Sequence, residues 1–61
     1  MTVTVWWKSG RDRFTEFTNI VETGVSEFSD HIIFLDKDNG NVIYINANEV
    51  MYVEEEEEET E

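Results

Sequence analysis

Hydrophobic and polar positions alternate from Thr2 to Lys8, with Val3, Val5 and Trp7 on one side and Thr4, Trp6 and Lys8 on the other. A period of two built from β-branched and aromatic residues predicts a strand. Ser9, Gly10, Arg11 and Asp12 supply turn chemistry, with Gly10 free to take positive φ. A hairpin to a second strand beginning near Arg13 follows.

The next stretch supports two readings. Phe14, Phe17, Thr18 and Val21 stand at helical spacing, with Ser9 or Asp12 as a cap and Gly24 as a stop, which gives a helix over about residues 12–22. Against it, Phe14 to Thr23 is rich in Thr, Phe, Ile and Val and poor in good helix formers. A strand over 13–18 is therefore preferred. Asn19 to Ser29 is then bent or bulged extended chain, with Val25 and Phe28 packed beneath it.

In "DHIIFLDKDNGNVIYIN" two apolar runs flank Asn39-Gly40, the dipeptide favoured in a two-residue type I′ turn, and a β-hairpin is predicted. With that loop Leu35 faces Tyr44 and Phe34 faces Ile45. One face then carries Ile33, Leu35, Val42 and Tyr44, the other Ile32, Phe34, Ile43 and Ile45. Both faces are apolar, so cover on both sides is expected. In "NANE", Asn46 as N-cap and Glu49 at N3 predict a single helical turn at 46–49, after which Val50 to Val53 closes the domain as a short strand.

The sum is an all-β fold: a small five-stranded, strongly bent antiparallel sheet or SH3-like barrel with one short helical turn, α+β being the alternative if the 12–22 helix forms. A hairpin, one helical turn and a closing strand, carried by "TVTVWWKSGRDRFTEF" and "HIIFLDKDNGNVIYINANEVMYVE", resemble the small SH3-like and Sm-like β-barrels. "VWWKSG" and "YINANEVMYVE" also resemble small proteins of phages and prophages of Gram-positive bacteria. The resemblance implies a shape. The SH3 "ALYDY"-type groove element and the basic RNA-contacting residues of Sm-like rings have no counterpart here.

Size and charge sharpen this picture. A chain of 61 residues makes one domain, 1–53, and buries only about 60% of the surface its unfolded form exposes. Its eight aromatics are a large share of the available core. Without cysteine there is no disulfide or thiolate metal site, which suits a reducing, cytoplasmic setting. No apolar run is long enough for a bilayer span. The net charge is −11, and residues 54–61 hold seven of the fifteen acids, leaving eight against Lys8, Arg11, Arg13 and Lys37. Clustered bases for a nucleic-acid surface are missing, so no direct nucleic-acid partner is expected.

Candidate chemistry is sparse, and no enzyme, cofactor or metal is expected. "DKDNGN" has a calcium-loop flavour, yet Gly40, Asn41 and Ala47 occupy the fifth, sixth and twelfth positions, where an acid or amide, a glycine and a carboxylate belong. His31 is the single histidine; with Ser26 and Ser29 nearby it lacks any orienting group, and a solvent-exposed strand end is its expected setting.

Partner-binding candidates are Trp6, Tyr44 and Tyr52 together with Glu54, Glu55, Glu56, Glu57, Glu58 and Glu59. Trp7 shares a side with Val3 and Val5 and is assigned to the core. Trp6 either packs beneath the 19–29 stretch or a neighbouring strand, or anchors an interface, a role tryptophan often fills. Residues 54–61 are expected to be a disordered acidic tail, because like charges repel and oppose a helix C-terminus. The expected function is a protein-interaction module, binding itself or a host protein. Alternatives are an acidic mimic that occupies a nucleic-acid-binding groove, and a small-molecule binder with its site between subunits.

Overall fold

The computed structural model describes residues 1–57. It contains six strands and one short helix: β1 Thr2–Trp7, β2 Phe14–Phe17, β3 Ile20–Val25, β4 Ile32–Lys37, β5 Val42–Asn46, a 3-10 turn Ala47–Glu49, and β6 Val50–Glu56. They form two antiparallel sheets, ordered β2-β1-β6 and β3-β4-β5. The all-β expectation holds, and the 12–22 helix does not form.

The strand count is six and not five because the bent, bulged extended chain expected over 19–29 holds a strand of its own. Ile20–Val25 is a full strand paired with β4. A bulge between Ile20 and Glu22 breaks the alternation there, so period-two reading passes over it. Only Thr18 and Asn19 separate β2 from β3, and Asn19 turns the corner in the left-handed region at φ 60°, which asparagine tolerates better than most residues. Ile20 N–H donates to Met1 O at 3.0 Å and Met1 N donates back to Ile20 O at 2.7 Å. The start of β1 thus grips the chain just past the corner.

The hairpin is real, but its loop has three residues, Asp38, Asn39 and Gly40, rather than two. Lys37 pairs with Asn41, its N–H donating to Asn41 O at 2.8 Å, while Gly40 takes the one positive φ of the loop, 90°. This is the three-residue form in which glycine fills a left-handed bulge position. Two causes favour it. Asp38 N–H donates to the Asn19 carbonyl at 3.0 Å, tying the loop to the corner, and the shifted register pairs Leu35 with Ile43 and Ile33 with Ile45. Four aliphatic side chains then share the inner face, and Tyr44 with its hydroxyl turns outward.

The core lies between the sheets. Val3, Val5 and Val50 come from the first, Ile20, Leu35 and Ile45 from the second, with Trp7, Phe17, Ile33, Ile43 and Val53 packed around them. Trp7 is a core neighbour as expected, and its indole N–H is satisfied by Thr15 Oγ1 at 2.9 Å, as an enclosed indole requires. The expected cover over both hairpin faces is absent: Tyr44 is 61% exposed and Val42 42%. Phe28 and Val25, expected beneath the chain, are exposed as well. Ser26 and Ser29 hold a tight turn by accepting the N–H of Phe28 and His31, and Phe28 projects from it.

The helical turn forms where predicted, with Asn46 as N-cap, its side chain accepting Asn48 N–H at 3.0 Å. The closing strand runs three residues beyond Val53, so a disordered tail does not begin at Glu54. Glu54, Glu55 and Glu56 pair with Thr4, Val3 and Thr2. The partner strand offers uncharged residues across from each glutamate, so the ladder forms despite the run of like charge. No helix among the described residues is long and apolar enough to cross a membrane.

Candidate functional site

Alternation along β1 sends Val3, Val5 and Trp7 inward, so Thr4 and Trp6 must stand on the outer face of the first sheet. The strands on either side complete that face. Trp6 lies opposite Phe14 of β2 and Tyr52 of β6, and the three rings form a row across the sheet. The Trp6 and Phe14 centroids are 4.9 Å apart at 37°, and those of Trp6 and Tyr52 are 5.5 Å apart at 12°, a stacked pair. Such cross-strand aromatic pairs stabilise a sheet beyond their area burial.

The indole of Trp6 is thus covered by neighbouring rings, not by an overlying segment. Its N–H donates to Glu54 Oε1 at 2.9 Å. Phe14 and Tyr52, on the two edge strands, are each 46% exposed. Next to the ring row comes a second row, Glu16, Thr4 and Glu54, in the same register. Between Trp6 and Trp7 the pairing with β6 slips by one residue, and the extra residue, Met51, is 58% exposed at the edge of the row. Met51 joins Trp6, Trp7 and the Ser9–Gly10 turn in lining a shallow open groove of about 310 Å³.

Of the residues singled out from the sequence, the fold brings Trp6, Tyr52 and Glu54 together. Tyr44 lies elsewhere, on the outer face of the second sheet opposite Phe34. Phe34 in turn lies over Gly24, where a Cβ would sit 3.2 Å from its ring. Glu55 and Glu56 continue β6, Glu57 is exposed just past its end, and Glu58 and Glu59 lie outside the described residues. Phe14 and Glu16 were not among the candidates. A signal for them existed: a hairpin centred on Gly10 places Phe14 opposite Trp6 and Glu16 opposite Thr4. Met51 had none, because a bulge is invisible to alternation.

The other candidate chemistries resolve into turn structure. The hydroxyls of Ser26 and Ser29 each accept a backbone N–H two residues on, and Asn39 Oδ1 accepts Asn41 N–H at 3.0 Å. His31 is exposed, its carbonyl accepting Ala47 N–H. Among the described residues no group of three or more His, Asp or Glu side chains is placed to hold a metal. No family model, curated protein or solved structure matches the chain.

Proposed function

We propose that this chain is a non-enzymatic protein-interaction module that engages a different protein through the outer aromatic face of its first sheet. The observation that carries the reading is the row Phe14, Trp6 and Tyr52, whose two outer rings stay half exposed in a chain with few large side chains to spare for its core. Apolar surface held at that exposure, rigid and rimmed by charge, suits an interface. The element order, with one 3-10 turn before the closing strand, is consistent with a small SH3-like shape, and the proposed partner is a host protein.

Charge argues for a different partner over a second copy. Glu16 and Glu54 share this face and Glu56 continues it along β6, and the whole chain carries −11. Joining two such faces brings like charges together, whereas a basic partner relieves them. The acidic-mimic reading draws on the acidic run from Glu54 to Glu61 and needs no rings, which separates the two.

Affinity capture with the tagged chain and two control variants tests the proposal. A partner held by the wild type and by Tyr44→Ser, but lost with Phe14→Ser/Tyr52→Ser, is the expected result. Retention by the ring variant, with loss only when Glu57, Glu58, Glu59 and Glu61 become glutamine, overturns it in favour of the mimic.

A further inference from the structure

The two edge strands of the first sheet present the same pair of side chains. On β2, Phe14 is followed two positions on by Glu16; on β6, Tyr52 is followed two positions on by Glu54. Residues two apart in a strand share a face and stand about 6.5–7 Å from one another. Both strands run antiparallel to β1, so the pairs point the same way: both aromatics align with Trp6, both glutamates with Thr4. Two strand spacings, about 9.5 Å, separate one pair from the other.

Neither carboxylate is neutralised. Glu54 Oε1 accepts the Trp6 indole N–H while its second oxygen has no described partner, and Glu16 is exposed without one. Because β2 and β6 are the sheet's edges, the ring faces of Phe14 and Tyr52 that turn away from Trp6 meet no further strand among the described residues. Each pair therefore offers a flat apolar surface with a carboxylate two positions along the same face of its strand.

That combination selects among cations. A guanidinium is planar, stacks on an aromatic face and presents an edge of N–H donors to a carboxylate. An ammonium is compact and strongly hydrated, and gains less from the ring. Resting on the docking role proposed above, we infer that this face is a two-seat arginine receptor: a partner segment sets one guanidinium on the outward ring face of Phe14 beside Glu16 and a second on that of Tyr52 beside Glu54, about 17 Å apart once a stacking distance is added beyond each ring. The Trp6 hydrogen bond holds Glu54 in place for the second seat.

The test is an NMR titration of the full chain with two blocked, alanine-based helical peptides of equal charge. One carries two arginines eleven residues apart, about 16.5 Å at 1.5 Å per residue; the other carries lysines there. At about 0.15 M ionic strength, where distant charges are screened, the arginine peptide is expected to bind roughly tenfold more tightly. The Trp6 indole N–H signal should move while that of Trp7, held by Thr15 inside, stays. Glu16→Gln/Glu54→Gln should remove the arginine preference and leave the remaining amide spectrum unchanged.

Equal affinity for the two peptides, or shifts centred on Phe34 and Tyr44, overturns the inference. Its failure is separable from failure of the docking proposal: ring-dependent capture without arginine preference removes this inference alone, and ring-independent capture removes both.

Discussion

Exchanging which hairpin residues are expendable tests the register most sharply. In the observed pairing Ile45 faces inward at 7% exposure, while Tyr44 faces outward at 61%. Ile45→Ala removes buried methyl and methylene groups between two sheets, and large-to-small changes of this kind cost about 2–4 kcal/mol. Tyr44→Thr keeps β propensity and gives up only the covered two-fifths of a side chain, on the order of 80 Å², or about 2 kcal/mol at 25 cal/mol per Å² before the threonine recovers part of it. The net cost is about 1 kcal/mol. Total stability for this length is about 3–9 kcal/mol, at 0.05–0.15 kcal/mol per residue, so Ile45→Ala should remove a large part of it. Urea unfolding followed by far-UV circular dichroism reads both, through midpoint shifts at unchanged slope. In the two-residue-loop register Tyr44 turns inward and Ile45 outward. Tyr44→Thr proving the costlier of the two would refute the three-residue loop and the core built on it.

Two further expectations concern the corner and the tryptophan. Asn19→Val forces a β-branched residue to φ 60° and should cost about 1–2 kcal/mol, whereas Asn19→Gly should stay within about 0.5 kcal/mol of wild type, both by urea denaturation. Trp6→Ala should cost about 2–3 kcal/mol, from two ring contacts and a hydrogen bond to a carboxylate; a loss under about 0.5 kcal/mol would mean that the ring row is not formed in solution.

The inner side of β1 was legible from alternation alone: Val3 and Val5 are fully buried and Trp7 packs against them. The cap at Asn46 was legible too, because capping is local chemistry between a side chain and an N–H two residues on. What alternation could not supply came from long-range pairing. The Asp38–Asn19 backbone bond chose the hairpin loop over the local preference of Asn-Gly for a type I′ turn. A bulge hid β3, and pairing with Thr2–Thr4 extended β6 through glutamates that local repulsion alone would leave unpaired. Trp6 was recognisable as the outward tryptophan, but that its cover is a pair of rings from β2 and β6 depended on how both strands flank β1.

Site-specific photo-crosslinking within cells addresses the central claim most directly. With a photoreactive phenylalanine analogue at position 52 in one sample and at position 44 in another, the account predicts a single heterologous adduct from 52 and none from 44. Adducts of equal yield from both positions, or an adduct of the chain with itself at 52, would contradict it.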